Sequence, residues 1–209
     1  MAEPNSHAMG REQSLVAADS PLGVTLVRQM ALASSEAAHL SARRAGTVIS
    51  LRVSRSAWSR VAGALGLDTL PSNNTSASTR AGSCLWVRPD EWLVIGADAS
   101  RGATAALLET ALGPDDGAVV DISASRIVLE LSGSASREVL ASCCPLDLHP
   151  RSFATAHCAQ SLVAKVPVLL HLVDETPRWN VYVRPSLAAY VVAWLTDAMS
   201  GGATERPDA

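Results

Sequence analysis

The chain has 209 residues, 48% of them hydrophobic and 18% charged, with a net charge of -3. That length suits one large domain or two small fused units with a sizeable core. The balance excludes a disordered chain, and the absence of any Lys/Arg run, with aromatics at only 4%, excludes a nucleic-acid binder.

Residues 1–20 read as a flexible polar tail. No basic stretch followed by an apolar run marks a signal peptide, and no apolar segment approaches the roughly 20 residues that span a bilayer. Cys84, Cys143, Cys144 and Cys158 form no CxxC pair, so we expect free thiols in a cytoplasmic protein with no membrane contact. So little charge leaves surface for a partner to cover, which points to a subunit of an assembly.

The first periodic segment, TVISLRV over 47–53, alternates and is β-branched, so it predicts a strand. Ser54 or Ser56 is placed to cap a following helix whose apolar positions are Ala57, Trp58, Val61, Ala62 and Leu65, ended by Gly66. Residues 71–82 read as a polar loop. Strands over 84–87 and 92–95 flank the turn Arg88-Pro89-Asp90-Glu91. A helix over 102–112 turns Leu107, Leu108, Ala111 and Leu112 inward, and strands follow over 118–122 and 126–131.

The order then repeats. Ser134 is placed to cap a short helix to about Ser142, and a loop of about 15 residues follows, on the spacing of turn and helix signals. Strands near 159–164, 166–173 and 179–183 come next. A final helix opens at Pro185, a favoured first position, with Leu187, Tyr190, Val191, Trp194, Leu195 and Ala198 as its stripe. LRVSRSAWSRV (51–61) aligns with LELSGSASREV (129–139), and Trp92 with Trp179, at offsets of 78 and 87, so the second copy carries nine more residues. The expected fold is α+β: a tandem pair of ferredoxin-like βαββα halves. The domain spans 21–200, with halves of about 47–122 and 126–200, and 201–209 form a C-terminal tail.

Few constellations carry chemistry. No G-x-G-x-x-G or G-x-x-x-x-G-K-[ST] is present, and the one lysine, Lys165, lies outside any Gly-rich loop. No G-x-S-x-G elbow occurs. Cys143, Cys144, His149, His157 and Cys158 crowd into 16 residues, but adjacent cysteines point apart, and packing explains them better than zinc does. Asp121, Ser123 and Arg126 form D-x-S-x-x-R between two strands, best read as a turn whose side chains satisfy local amides. Asp90 and Glu91 are consecutive on a turn, a poor geometry for concerted acid–base work. Trp86, Trp92, Trp179 and Trp194 share the apolar period and are expected in the core, with one or two free to anchor an interface.

Taken in order, several of these runs resemble the gamma subunit family of heterotetrameric sarcosine oxidase. They are Ser20-Pro21-Leu22, R-P-D-E-W-L (88–93), D-I-S (121–123) with Arg126, L-x-L-S-G (129–133), C-P-L-D-L-H-P-x-x-F (144–153) and Y-V-R-P-S (182–186) with Tyr190 and Trp194-Leu195-x-Asp197. The chain departs from the family at Arg88, where Gly is usual, and at Ala124-Ser125, where His often follows the Ser.

The resemblance implies a fold similar to the folate-binding module of aminomethyltransferases. It implies a complex that demethylates sarcosine oxidatively to glycine and passes the one-carbon unit to tetrahydrofolate. FAD, FMN, NAD and zinc would belong to other subunits and no cofactor to this chain. Partners would be the alpha, beta and delta subunits, and no residue here would be catalytic or metal-binding. The interface candidates are Arg88, Pro89, Asp90, Glu91 and Trp92 on the first turn and Asp121, Ser123 and Arg126 on the second. The long loop adds Cys144, Pro145, Leu146, Asp147, Leu148 and His149. The alternative is a folate-binding module or one-carbon transferase accessory acting on its own, for which Asp121 is the carboxylate to consider.

Overall fold

The computed structural model describes residues 22–201 except 98, 100 and 115. The expected tail over 1–20 lies outside them, as does all of the C-terminal tail but Gly201. Strands and helices are β1 (His39–Arg44), β2 (Thr47–Val53), β3 (Ser76–Thr79), β4 (Gly82–Arg88), β5 (Glu91–Gly96), β6 (Gly117–Asp121), β7 (Ile127–Ser132), β8 (Cys158–Val163), β9 (Val166–Asp174) and β10 (Arg178–Val183), with α1 (Gly23–Ala33), α2 (Trp58–Leu65), α3 (Arg101–Leu112), α4 (Ser136–Ala141) and α5 (Pro185–Met199). One sheet runs β3-β4-β5-β2-β6 and the other β1-β7-β10-β9-β8. Every ladder is antiparallel.

The fold is α+β, with the strand order of two ferredoxin-like units. Three elements escaped the sequence: α1, and the strands β1 and β3, which lack apolar alternation, β3 lying inside the polar stretch 71–82. β1 matters most. It precedes the first half in the chain yet pairs with β7 in the second sheet, Leu40 opposite Leu131. The second half is thus completed by residues well outside 126–200. Gly133 permits the crossing: at φ +105° its hydrogen faces the Ala37 carbonyl oxygen, 2.4 Å from where a Cβ would stand.

Alternation along the strands builds four layers. Ile49, Leu51, Val53, Trp92 and Val94 face α2 and α3. Ile127, Leu129, Leu131, Trp179, Val181 and Val183 face the layer made by α1, α4 and α5. The opposite strand faces meet each other, burying Val48, Leu85, Leu93 and Ile95 of one sheet against Val128, Leu169 and Tyr182 of the other. At one rim the halves exchange backbone hydrogen bonds: Ser76 N–H to the Ala156 carbonyl at 2.7 Å and Cys158 N–H to the Asn74 carbonyl at 2.9 Å. Asn74 and Ala156 both hold positive φ, 58° and 63°, a conformation costing about 1–2 kcal/mol without glycine. Both halves therefore adopt the same conformation at the same crossing, with the greater strain at Ala156, since Asn tolerates this region better.

The internal duplication is visible in backbone detail. Ala57 and Ala135 both directly precede a helix in the right-handed region. The ladders set Leu51 opposite Trp92 but Leu131, not Leu129, opposite Trp179, so strand equivalence is displaced by two residues. A shift of two keeps every side chain on its face. At the Thr75–His157 bridge the two halves meet through residues 82 positions apart.

Four local expectations change. Ser54 and Ser56 cap nothing; their hydroxyls donate to Asp116 at 2.6 and 2.7 Å, and Arg60 reaches the same carboxylate at 2.6 Å. With the Ser54 hydroxyl as the largest cause, this pulls the Asp116 pKa down to about 2. Ser134 caps nothing either, since Ala135 stands at the start of α4 without a side-chain cap. Leu107 is 44% exposed, because Thr104, Leu108 and Leu112 form the inner face of α3. On α5 the buried stripe is Ala188, Val191, Val192 and Leu195, which turns Tyr190 and Trp194 outward, 47% and 46% exposed.

His171 sits buried between the sheets with Nε2 2.9 Å from the Ser76 hydroxyl and Nδ1 unpartnered. Burial first, then the charge of Arg178, lowers its pKa to about 4. The unfolded chain therefore binds a proton that the folded chain refuses. Stability from this residue is complete above about pH 6.5 and falls toward pH 4, by at most about 1.4 kcal/mol per pH unit. Urea midpoints measured between pH 7 and 4.5 should show this slope, and His171→Gln should flatten it. Truncating the intersheet layer with Leu85→Ala should cost about 2–5 kcal/mol, whereas Leu107→Ala should stay within about 0.5 kcal/mol; equilibrium denaturation compares the two.

Candidate functional site

The turn between β4 and β5 is held by its own charges. Asp90 accepts from Arg52 at 2.9 Å, Arg88 pairs with Glu91 at 3.5 Å, and Glu91 accepts from the Ser50 hydroxyl at 2.8 Å. Arg88, Pro89 and Asp90 are exposed. Trp92 is not a surface group: it is buried against α2, its indole N–H donates to the Pro71 carbonyl at 2.9 Å, and Trp58 meets it edge-on at 5.5 Å. Alternation along β5 points Glu91 toward the cleft between the sheets and turns the next residue toward α2.

Asp121 and Ser123 close the second turn. Asp121 accepts from the Ser123 amide at 2.8 Å and its hydroxyl at 2.5 Å, and pairs with Arg101 at 3.7 Å. These contacts, the Ser123 hydroxyl foremost, hold its carboxyl below the usual range. Ser123 is itself buried and accepts from the Val48 amide at 2.9 Å, so it withdraws from the interface candidates. Arg126 is half-buried and leads into β7.

The CPLDLHP loop is pinned to the second half by three side chains. Leu148 and Phe153 are buried, Phe153 lies 5.2 Å from the Trp179 ring, and Arg137 stacks over that ring at 5.1 Å while donating to the Leu148 and Phe153 carbonyls. Asp147 accepts from the His149 amide at 2.9 Å and the Ser152 hydroxyl at 2.5 Å, so the carboxylate shapes the loop. Cys144 and Leu148 are buried and leave the surface set. Leu146, Asp147, His149 and Pro150 line a shallow groove with Arg137, Glu138 and Ala141 of α4.

The crowded thiols and imidazoles do not converge. The Cys143 thiol lies over the Val139 and Leu140 carbonyls, Cys144 faces Ser161, and Cys158 sits between the sheets near the Thr75 and Trp86 carbonyls. Burial pushes Cys143 up to about 11 and Cys158 up to about 12, which leaves them protonated and poor nucleophiles. Among the described residues no group of three His, Cys, Asp or Glu is arranged to hold a metal.

The stacking of the sheets leaves a polar, partly open cleft of about 220 Å3 at the strand ends. Arg88, Glu91 and Arg126 enter it from the first half and the connecting turn, and Gln160, Tyr182 and Arg184 from the second. Leu93, Leu169 and Pro167 form an apolar wall. Gln160 donates to the Val87 carbonyl at 2.9 Å, joining the sheets across the opening. The structure thus brings Arg88, Glu91 and Arg126 together and sends the loop candidates to a separate groove. Gln160, Tyr182 and Arg184 escaped the sequence as site residues because their meeting with Arg126 depends on sheet stacking; the Y-V-R-P-S run was the available signal.

The geometry has counterparts in known proteins. Residues 54–201 match the model of the "Sarcosine oxidase, gamma subunit family". The sarcosine oxidase gamma subunit of Corynebacterium sp. strain P-1 is 42% identical over 130 residues, 62% of this chain and 63% of that protein. Its counterpart in an Arthrobacter species is 44% identical over 116 residues, 56% of each chain. These alignments therefore span less than two thirds of either relative. In structure, a chain of the heterotetrameric sarcosine oxidase from Corynebacterium sp. U-96, solved in complex with pyrrole 2-carboxylate, superposes with a TM-score of 0.79 at 33% identity, covering 90% of this chain and 98% of that one. Aminomethyltransferase T of the glycine cleavage system from Bartonella henselae shares the fold, with a TM-score of 0.62 at 16% identity over 84% of this chain and 49% of that one. With the family model matching well over half of the chain, the protein belongs to the sarcosine oxidase gamma subunit family.

Proposed function

We propose that the chain is an accessory and structural subunit of a cytoplasmic heterotetrameric sarcosine oxidase, non-catalytic in isolation, and that alpha, beta and delta subunits are its partners. The complex would demethylate sarcosine oxidatively to glycine, with the one-carbon unit passing to tetrahydrofolate and with FAD, FMN, NAD and zinc held by the other subunits. The observation that carries this reading is the almost complete coverage of a chain from a solved heterotetramer of that activity. The chemistry of the described residues supports it: buried thiols are protonated and the turn carboxylates are engaged by local donors. No described helix is long and apolar enough to cross a membrane.

Exposed apolar side chains on the outer helical layer suit a partner-covered face. Tyr190 and Trp194 pair at 6.4 Å on α5, and Val24 and Leu32 are exposed on the neighbouring α1. Trp and Tyr in such positions carry a disproportionate share of binding energy. The turn at Arg88–Glu91 and the rim of the loop groove at Leu146, Asp147 and His149 are further contact candidates.

Co-expression with alpha, beta and delta subunit genes tests the reading. The tagged chain should retain the other subunits on purification, and Trp194→Ser with Tyr190→Ser should reduce that retention at least tenfold while leaving the circular dichroism unchanged. Full assembly and full sarcosine oxidation in the absence of this chain would contradict the proposal. Tight tetrahydrofolate binding by the isolated chain would favour a folate-binding module instead.

A further inference from the structure

The cleft between the sheets has an excess of cationic groups and a defined shape. Of its three arginines, Arg88 has a partner in Glu91. Arg126 and Arg184 have none: among the described residues neither has an Asp or Glu oxygen within 4.0 Å, and the Arg126 guanidinium donates only to the carbonyl and hydroxyl of Ser125. Two like charges sharing one cleft are unfavourable unless something offsets them. Arg126 responds accordingly, with burial first and the charge of Arg184 second lowering its proton affinity. The half-buried Arg126 and the exposed Arg184 thus bring two positive charges to a cleft whose one lining carboxylate, Glu91, is already engaged by Arg88, which leaves an unfinished ion pair.

The remaining walls narrow the choice of what finishes it. Leu93, Leu169 and Pro167 offer apolar surface beside the two guanidinium groups. About 220 Å3 is too small for a nucleotide and suits a group of a few carbon atoms. Glu91, 84% covered on its side chain, adds negative charge on the rim and works against multiply charged anions. Planar guanidinium forks match carboxylate geometry in bidentate fashion.

We propose that this cleft is a carboxylate-binding site, in which Arg126 and Arg184 hold the carboxylate of a short aliphatic acid or of an acidic side chain from a partner chain, and the Leu93–Leu169 wall holds its carbon stem. The free-acid source is independent of the assembly reading, since the cationic groups all belong to this chain, whereas the partner source rests on that reading. The two sources share one chemistry and differ in whether a free acid reaches the site.

Titration of the full-length chain with butyrate at constant ionic strength, read by thermal shift and by the arginine side-chain NMR signals, separates them. For a free acid, butyrate should give a saturable upward shift that inorganic phosphate does not reproduce. Arg184→Gln, an exposed position with no fold contacts to lose, should weaken binding at least tenfold, and Arg126→Lys should retain part of it. For a partner's acidic side chain, butyrate should compete with subunit retention in the co-expressed complex, and Arg184→Gln should lower that retention at least tenfold. The proposal is overturned if butyrate neither binds the chain nor competes with its partners, if Arg184→Gln leaves both readouts unchanged, or if phosphate binds as well as butyrate.

Discussion

Face-to-face stacking of the two sheets is the contact on which the remaining features depend. A sheet covered by helices on one side alone could leave its other side polar, as many antiparallel sheets do. Here the second side is apolar as well: Val48, Leu85, Val87, Leu93 and Ile95 meet Val128, Leu169 and Tyr182 across the interior. Neither half can bury that layer without the other, so the duplicated units behave as one body. The reciprocal backbone bonds at Asn74 and Ala156 and the Gln160 bond to Val87 fasten the stack at its rim. At about 25 cal/mol for each Å2 of apolar surface removed from water, the layer outweighs the strain of two residues in the left-handed region.

The same stacking sets the chemistry of the interior. Polar strand positions that would face water in a lone sheet are enclosed instead. His171 is kept neutral by burial, and Arg126 is desolvated beside a second arginine. Both lie where the halves meet, and Arg126 lines the cleft there. By contrast, Asp116, Asp121 and Asp147 are tuned by hydrogen bonds from nearby side chains and spend their lone pairs on local architecture.

The chain closes on itself through β1. Supplying the edge strand of the second sheet from residues that precede the first half ties the two ends of the fold together, and α1 then packs beside α5. The outer helical layer therefore combines both ends of the described chain. Its exposed Tyr190, Trp194 and Leu32 lie on a surface that exists only after that closure.

Much of this was legible in the residues. Alternation in 47–53 predicted a strand, as did the apolar runs at 126–131 and 179–183, each within a residue of its observed bounds, and the spacing of apolar residues predicted α2, α3 and α5. The match of 51–61 to 129–139 revealed the duplication, because equivalent helices bury equivalent positions, Val61 and Val139. Other features were decided by tertiary structure. The side of α5 that carries Tyr190 and Trp194 is apolar in sequence and outward in space, since helical periodicity allows an aromatic edge on either flank of the stripe. β1 and β3 are strands because open ladders accept them, with no apolar pattern of their own. The Arg126–Arg184 cleft joins residues from separate elements whose proximity follows from how two sheets stack, a long-range packing outcome that no local pattern encodes.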